Sequence, residues 1–362
     1  MRPWPAPAIP RLPGRGPLPR VHDTATGALA EVGGPRAASL YVCGITPYDA
    51  THLGHAATYL AFDTLQRLWL DAGLAVTYLQ NVTDVDDPLL ERAVATGVPW
   101  RELADRETAL FAEDMAALGI RPPEHWTAVS EVVAEVAEAV RVLLERGLAY
   151  RLGEDLYFDS AAAASQLWRL GTEPRLDRAT MLALAGERGG DPERPGKRDP
   201  LDPLLWRGSR PRDDPSREPR WPSPLGAGRP GWHIECSVIA GLGTSLPLSV
   251  NGGGVDLAFP HHEFSAGHTA ALDGVRLALA SVHAGLVGYR GEKMSKSLGN
   301  LVFVSALRRE HDPRAIRLAL LAHHYREDWE WHDEELAAAE ERLARWSAAA
   351  RAASAGQPGP VE

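Results

Sequence analysis

Two histidines separated by two residues, His52 and His55, follow a short apolar run at the point where a helix is expected to begin. Imidazole N–H groups can donate to a phosphate whose charge grows in a transition state, and a helix amino terminus favours anions. The intervening Gly54 would let a ligand lie against the backbone. Two surface histidines that cap a helix would give the same pattern, so the string alone is a weak sign of a phosphate site.

Lysine occurs at three positions, Lys197, Lys293 and Lys296, and arginine supplies the other basic residues. Two of the three fall within the string Lys-Met-Ser-Lys-Ser that begins at Lys293. Flexible ammonium groups suit a triphosphate whose charge moves during a reaction. Because arginine would have served in a merely solvated loop, the pattern favours phosphate binding by Lys293 and Lys296.

The two cysteines, Cys43 and Cys236, lie far apart in the chain, and His261 and His262 follow the second. Thiolates and imidazole are preferred zinc ligands, and three protein ligands leave a fourth position open for a substrate. Free cysteines are also common in protein cores, and the spacing contains no Cys-x-x-Cys support. The pattern therefore leaves both a zinc site and two core cysteines open, but it excludes a disulfide scaffold and favours the cytosol.

Two glycine-rich strings complete the candidates. In Gly-Gly-Gly-Val-Asp, which ends at Asp256, the glycines would allow close approach of a ligand and Asp256 could receive an ammonium group or a ribose hydroxyl. A plain turn explains the same string equally well. The loop Glu187–Pro192 combines charge with glycine, as most solvated connecting loops do.

The elements around these residues indicate an α/β protein. A buried strand at Leu40–Cys43, a helix over residues 55–72 and a strand at Ala75–Leu79 form a βαβ unit, which predicts a parallel sheet. Helices are expected at about 88–118 and 130–146, the second capped by Ser130, and again from Pro313 and over 333–351. Further expectations are a short strand pair or irregular lead-in over 1–39, a hairpin around Tyr150–Phe158 and a long stretch of loops over 186–230.

The composition of the chain limits the classes of protein to which it can belong. The chain has 362 residues, of which 44% are hydrophobic and 24% charged, so it can form ordinary cores in two or three folding units. No stretch approaches the roughly 18 apolar residues of a membrane span, and the amino terminus lacks the apolar segment of a secretory signal. The net charge of −10 disfavours a generic polyphosphate-binding surface. Because the pattern contains no long interface helix, a monomer is expected.

Taken together and in order, the motifs resemble the signature of the class I aminoacyl-tRNA synthetases, specifically the cysteinyl branch, from about Leu40 to beyond Asp328. The resemblance implies a class I synthetase-type Rossmann (HUP-like) nucleotide-binding domain with a parallel sheet, an inserted connective segment and a C-terminal helical domain. The corresponding boundaries are a lead-in over 1–39, catalytic halves over 40–120 and 231–300, an insertion over 121–230 and a shortened stem-contact-like helical domain over 301–362.

Three departures separate the chain from a tRNA synthetase. Ser265 stands where the synthetase pattern has an additional glutamate ligand, and only about 65 residues follow the lysine loop, too few for an anticodon-reading domain as well. The loop Glu187–Pro192 and the string Val42–His55 are instead similar to a paralogous family, the cysteine ligases of mycothiol biosynthesis. Those enzymes join L-cysteine to the amine of glucosaminyl-inositol.

The resemblance implies a reaction and a role for each motif. ATP, with Mg²⁺, would activate cysteine as cysteinyl-adenylate, which the amine then converts to an amide with release of AMP. His52 and His55 would stabilise the α-phosphate, and Lys293 and Lys296 the β- and γ-phosphates. One Zn²⁺ would bind the substrate thiolate as its fourth ligand; its protein ligands would be Cys43, Cys236 and His261.

The adenylate would be lined by Gly44, Ile45, Thr46, Thr58, Asn81, Val82, Thr83, Trp232, Gly254, Val255, Asp256 and Val287. The partners implied are L-cysteine, ATP and glucosaminyl-inositol, without nucleic acid or membrane. Two alternatives remain: a cysteinyl-tRNA synthetase with a truncated C-terminus, and a non-catalytic amino-acid sensor. The presence of both phosphate-handling sets argues against the sensor, and cysteine-dependent ATP–pyrophosphate exchange would decide it.

Overall fold

A computed structural model of the chain describes residues 1–210, 214, 217–294 and 299–355, with the backbone alone at Lys293 and at 354–355. The strands are β1 (Arg20–Asp23), β2 (Ala28–Glu31), β3 (Ala37–Val42), β4 (Ala75–Val82), β5 (His125–Ala128), β6 (Ala149–Leu152), β7 (Asp155–Phe158), β8 (Leu204–Gly208), β9 (Gly228–Pro230), β10 (Leu248–Gly254), β11 (Ala278–Ala284), β12 (Val287–Tyr289), β13 (Glu292–Lys293) and β14 (Trp329–Glu330). The helices are α1 (Leu53–Asp71), α2 (Asp87–Thr96), α3 (Trp100–Ala117), α4 (Val133–Glu145), α5 (Arg178–Glu187), α6 (Trp232–Gly243), α7 (Glu263–Asp273), α8 (Val304–Glu310), α9 (Pro313–Leu320) and α10 (Asp333–Ala355).

A five-stranded parallel sheet in the order β11-β10-β3-β4-β5 forms the centre of the fold. From β3 the chain builds outward in one direction through β4 and β5, and it later returns to the other side of β3 through β10 and β11. The strand order therefore reverses between β3 and β10. In open parallel sheets the crevice at the carboxyl ends of the strands beside such a reversal is the usual ligand site.

Alternation along β3 divides the interior into two cores. Leu40 and Val42 pack into the core that α1 covers, whereas Tyr41 and Cys43 belong to the core on the opposite face of the sheet. Successive side chains of a strand point to opposite faces, so a central strand with helices on both sides is apolar throughout. Cys43 thus leaves the sheet on the face that α6 covers.

Helix α1 begins directly at the histidine string. His52 is its N-cap, in extended backbone conformation, and its side chain accepts a hydrogen bond from Gly54 N. The helix buries Leu53, Leu60 and Trp69 against the sheet and ends before Gly73, which has a φ of +83°. That left-handed conformation costs glycine little, which makes it a good residue to follow a helix.

The insertion contains a four-stranded antiparallel sheet in the order β6-β7-β8-β9. The hairpin expected around Tyr150–Phe158 is β6–β7. The expectation that residues 186–230 are all loops is wrong for β8 and β9, which complete this sheet. The sequence does not reveal these strands because β8 and β9 are short and the segments that flank them are irregular and rich in proline and glycine.

Two helix assignments also need correction. The single helix expected over 88–118 is two helices, α2 and α3, because Gly97 takes a φ of +69° as C-cap of the first and Pro99 precedes the second. Ser130 is not the N-cap of α4. Its amide and hydroxyl both bond to the Asp84 carboxylate, and α4 starts three residues later.

Small elements complete the fold. The N-terminal segment forms the antiparallel hairpin β1–β2, and β12 pairs with both β13 and β14. The C-terminal helices α9 and α10 pack against each other, and α9 also packs against α1. Across the described part of the chain, no helix combines the length and apolar character needed to cross a lipid bilayer.

Candidate active site

A cleft of about 870 Å³ opens at the carboxyl ends of β3, β4 and β10 and extends along the insertion. Most of the residues predicted to line the adenylate form its wall: Gly44, Ile45, Thr46, Thr58, Asn81, Thr83, Trp232, Gly254, Asp256 and Val287. Val82 is fully buried and Val255 is exposed, and neither contributes to this wall. His52, His55, Cys43 and His261 lie on the same cleft, so it brings together residues that are more than 200 positions apart.

The two cysteines and His261 form a tight cluster at one wall of this cleft. Cys43 Sγ lies 3.9 Å from Cys236 Sγ, and His261 Nε2 lies 3.1 Å from Cys236 Sγ. All three ligand atoms lie within 4.8 Å of one another, and each residue is buried. The separation of the sulfurs is far greater than a disulfide bond, and both cysteines are free.

The donor atoms of the cluster suit a metal ion. Burial raises the pKa of the Cys236 thiol well above its ordinary value, and the adjacent Cys43 raises it further. Burial also lowers the pKa of His261 well below its ordinary value, so its imidazole is neutral and has a lone pair to offer. Two sulfurs and one neutral imidazole are a donor set that Zn²⁺ prefers. These residues therefore fit a zinc ion, which would supply the positive charge that the buried thiolates require.

Cys43 is also the end of a buried chain of hydrogen-bonding groups. His262 Nε2 lies 3.2 Å from Cys43 Sγ, and His262 Nδ1 lies 2.8 Å from His283 Nε2. His283 Nδ1 in turn lies 2.7 Å from the hydroxyl of Thr24, between strands β1 and β2. Burial lowers the pKa of His262 well below its ordinary value and that of His283 to about 4, so both rings are neutral.

Because both rings are neutral, the hydrogen bonds of this series can run in only one direction once Cys43 is a thiolate. A thiolate only accepts, so His262 donates from Nε2 and must accept at Nδ1. His283 then donates from Nε2 and accepts at Nδ1 from the Thr24 hydroxyl. Among the described residues, His262 is outside the group whose ligand atoms all lie within 4.8 Å of one another, and its Nε2 contacts Cys43 Sγ.

The His261 ring also has contacts away from the cysteines. Its Nδ1 lies 3.1 Å from His233 Nδ1, and the ring of Trp232 stacks on it with centroids 4.6 Å apart. If Nε2 of His261 faces a metal, its ring proton sits on Nδ1, so His233 accepts there. Burial lowers the pKa of His233 to about 3, which keeps it neutral and able to accept.

The first two candidate catalytic residues lie side by side. The rings of His52 and His55 stack with centroids 3.8 Å apart. Since His52 Nδ1 accepts from Gly54 N at 3.1 Å, that nitrogen carries no proton, and a neutral His52 ring has its N–H at Nε2. The helix cap thereby fixes which nitrogen of His52 can donate to a ligand.

A buried polar chain shapes the cleft between β3 and β4. Asn81 Oδ1 accepts from Gly44 N and from the Tyr41 hydroxyl, and Asn81 Nδ2 donates to Thr83 Oγ1. Thr83 donates at 2.9 Å to Glu235, whose pKa burial raises well above its ordinary value. A Cβ at Gly44 would lie 1.6 Å from the Asn81 carbonyl oxygen, so only glycine allows this approach.

The triple glycine and Ser265 have structural partners. A Cβ at Gly252 would lie 2.4 Å from the Phe62 ring of α1, so this glycine admits a protein side chain as well as any ligand. The Ser265 hydroxyl donates to the carbonyls of His233 and His261 at 3.0 and 2.8 Å. Serine therefore ties down the segment that carries His261 at the position where the synthetase pattern has a metal ligand.

Of the lysine string, the backbone of Lys293 lies in β13, which pairs with β12, and Met294 is buried and lines the cleft. Lys296 lies outside the described residues. Sequence reasoning missed Thr24 and His283, which continue the series of hydrogen bonds from Cys43 and His262. Single polar residues without a local motif give no signal of a contact with residues that are far away in the chain.

The chain is similar in sequence to a family of synthetase domains and to a group of ligases. The model of the family described as tRNA synthetases class I (C) catalytic domain matches residues 30–341. The protein from Clavibacter michiganensis named L-cysteine:1D-myo-inositol 2-amino-2-deoxy-alpha-D-glucopyranoside ligase is 60% identical, over 100% of this chain and 88% of its own. Proteins of the same name from Thermobispora bispora and Micrococcus luteus are 59% and 57% identical, over 96% of this chain and 85% and 84% of their own.

Solved structures with a similar fold are tRNA synthetases. Mycobacterium tuberculosis methionyl-tRNA synthetase in complex with methionyl-adenylate superposes with a TM-score of 0.57 at 18% identity, covering 83% of this chain and 68% of that one. The LeuRS–tRNA–LeuAMS complex of Agrobacterium radiobacter K84 gives 0.59 at 13% identity, covering 86% and 72%. These similarities confirm the predicted fold class, with its parallel sheet. The chain belongs to the class I tRNA synthetase (C) catalytic-domain family, in the branch formed by the L-cysteine:1D-myo-inositol 2-amino-2-deoxy-alpha-D-glucopyranoside ligases.

Proposed function

We propose that this protein joins L-cysteine to the amine of glucosaminyl-inositol at the expense of ATP, through a cysteinyl-adenylate. The observation that carries the proposal is the cluster of Cys43, Cys236 and His261, because Cys43 and His261 line the same cleft as His52 and His55. This arrangement supports a thiol-selective site beside a phosphate site. The names of relatives at 56–60% identity give the acceptor.

The reaction has two group transfers. A carboxylate oxygen of cysteine attacks the α-phosphorus of ATP, the bond to the β-phosphate breaks, and pyrophosphate leaves. The neutral sugar amine then attacks the carbonyl carbon of the mixed anhydride, the bond to AMP breaks, and the amine loses a proton. The net products are an amide, AMP and pyrophosphate.

The chain's own residues divide this work. His52 Nε2–H and the His55 ring stabilise the α-phosphate as negative charge accumulates, and Lys293 and Lys296 hold the β- and γ-phosphates with Mg²⁺. Asp256 and Thr83 orient the polar groups of the ribose and the amino acid. The lysines supply ammonium groups on flexible side chains as point charges, whereas the start of α1 holds the two histidines in place.

Cys43, Cys236 and His261 would hold one zinc ion, and the ion would supply selective binding of a thiolate over the hydroxyl of serine. His262 orients and stabilises Cys43, while His233 and Trp232 fix the His261 ring. Direct ligation discriminates better than an apolar pocket, in which small differences give about 1–3 kcal/mol.

The partners we propose are small molecules alone, acted on by a monomer in the cytoplasm. The net charge of −10 gives little attraction to nucleic acid, and two free buried thiols fit a reducing compartment.

Product analysis with competing acceptors tests the function. The protein, incubated with ATP, L-cysteine, glucosaminyl-inositol and cysteine tRNA, is expected to form the cysteinyl amide with equal amounts of AMP and pyrophosphate, measured by mass spectrometry and nucleotide chromatography. Cysteinyl-tRNA should stay at background, which separates this function from that of a synthetase. Charging of tRNA with indifference to the sugar would contradict the proposal, and no cysteine-dependent pyrophosphate exchange would exclude both enzymes.

The support of Cys43 gives a separate prediction. His262→Asn is expected to lower zinc affinity about 10- to 100-fold, because loss of a supporting hydrogen bond to a metal ligand typically has that effect. Thr24→Val should weaken zinc binding less, and Thr24→Ser, which keeps the hydroxyl, should match the wild type. Competition with a chromophoric chelator measures the affinity, and the thiolate-to-metal absorption of the cobalt form should shift in His262→Asn. Unchanged affinity and spectrum in that variant would show that the contact with Cys43 does not support the metal.

A further inference from the structure

The loop Glu187–Pro192, called here the connector loop, follows α5 in the insertion and has no role in the proposed chemistry. It reverses direction immediately: Gly189 has a φ of +80°, and Gly190 N donates to the Ala185 carbonyl at 2.8 Å. A Cβ at Gly190 would lie 2.7 Å from that carbonyl oxygen, so a side chain does not fit there. The two glycines therefore keep the loop tight against the end of α5.

The second half of the connector loop is fixed to the insertion. Asp191 accepts hydrogen bonds from the Tyr157 hydroxyl of β7 and from Lys197 Nζ, the latter at 3.0 Å. Lys197 also donates to the Pro200 carbonyl at 2.7 Å, and its side chain is only 4% exposed. This ion pair, which is buried at the lysine and partly exposed at Asp191, accounts for the third lysine of the chain. Together with the Tyr157 contact it makes the connector loop a rigid part of the insertion.

From this rigid base, Arg188 reaches the turn that precedes the candidate metal ligand His261. Arg188 Nη1 donates to the Asp256 carbonyl at 2.5 Å and also to the Phe259 carbonyl. Helix α5 packs against the same turn, and its Met181 shares a core with Phe259. The contact therefore connects the insertion to a segment that lines the cleft at Asp256 and leads into His261 of the thiol cluster.

The Phe259 carbonyl needs a donor because residues 258–260 of the turn are buried, and an unpaired buried carbonyl is costly. A guanidinium forms charge-assisted hydrogen bonds, which are about twice as strong as neutral ones. We propose that Arg188 is a positioning residue: by holding the Asp256 and Phe259 carbonyls, it fixes the turn over 255–260 and thereby the adenylate pocket. The role of that pocket rests on the proposed function.

The test compares Arg188→Met, in the connector loop, with a matched control at the start of the preceding helix α5, Arg178→Met. Arg178 is half-exposed and pairs with Asp199 on the outside of the insertion. Arg188→Met is expected to raise the KM for ATP about tenfold or more. The Kd of a cysteinyl-sulfamoyl-adenosine analogue, measured by calorimetry, should rise by a similar factor. The KM for glucosaminyl-inositol should change less than twofold. Arg188→Lys, which has one ammonium group for two carbonyls, should give values of the ATP KM and the analogue Kd between those of the wild type and Arg188→Met. Arg178→Met should give the wild-type values.

A second measurement does not depend on substrates. Amide hydrogen exchange over 255–262 should be faster in Arg188→Met and unchanged in Arg178→Met. Unchanged exchange and unchanged ATP KM would overturn the proposal, even if the melting temperature fell. An effect confined to the KM for the sugar would also overturn it, because the connector loop would then belong to the acceptor site. If the wild type bound no analogue, the proposed function would fail, while the exchange experiment would still decide whether Arg188 holds the turn.

Discussion

Replacing Cys236 by serine is expected to reduce the bound zinc of the purified protein from about one ion per chain to nearly none. Cysteine-dependent ATP–pyrophosphate exchange should fall by at least ~100-fold, because loss of a direct ligand costs more than the 10- to 100-fold effect of a supporting residue. Serine preserves the size of the side chain, but its hydroxyl stays protonated and gives the site neither charge nor a sulfur donor. Elemental analysis and an exchange assay measure the two effects.

Ser237→Ala is the control for this substitution. Ser237 is the next residue of α6 and is equally buried, but its hydroxyl donates to the Ser265 carbonyl at 2.9 Å and is not part of the thiol cluster. Its zinc content and exchange rate should be close to those of the wild type. If Cys236→Ser kept a full complement of zinc, the ligand assignment would be wrong.

The sequence predicts the central fold well because the βαβ unit around β3, α1 and β4 is local. Its apolar runs and the stop at Gly73 are all contained in about 45 residues. The antiparallel sheet of the insertion is only half predicted, since β6 and β7 form a hairpin whereas β8 follows after a long irregular segment. The break between α2 and α3 was available from Gly97 and Pro99, but helical spacing on both sides obscured it.

For the site, the same distinction between local and distant features applies. The string around His52 and the cysteines could be found because motifs surround them. The Sγ atoms of Cys43 and Cys236 lie 3.9 Å apart because β3 packs against α6, which no local pattern indicates. The spacing of the cysteines in the sequence therefore allowed both a zinc site and two ordinary core residues. The contacts of Thr24 with His283 span 259 positions and carry no motif, so only the folded chain reveals them.

Replacing His52 by asparagine is expected to slow adenylate formation about 10²- to 10³-fold, the usual effect of removing one donor to a developing charge. Asparagine is a good N-cap, so it can keep the hydrogen bond from Gly54 N while it removes Nε2–H. The Kd of cysteine should stay within about twofold, because in this assignment the amino acid is bound by the metal cluster. Single-turnover kinetics and calorimetry measure the two quantities.

Three further variants separate catalysis from the helix cap. His52→Ala should show the same kinetic loss and an additional destabilisation of about 1 kcal/mol, measured by urea unfolding, because alanine cannot cap α1. His55→Asn should slow the reaction without the loss of a cap, and His125→Asn, at an exposed position of β5, should do neither. If His52→Asn were as active as the wild type while His52→Ala was merely less stable, His52 would serve only to start the helix. The stacked pair would then act on the phosphate through His55 alone, so the comparison assigns each imidazole its own part.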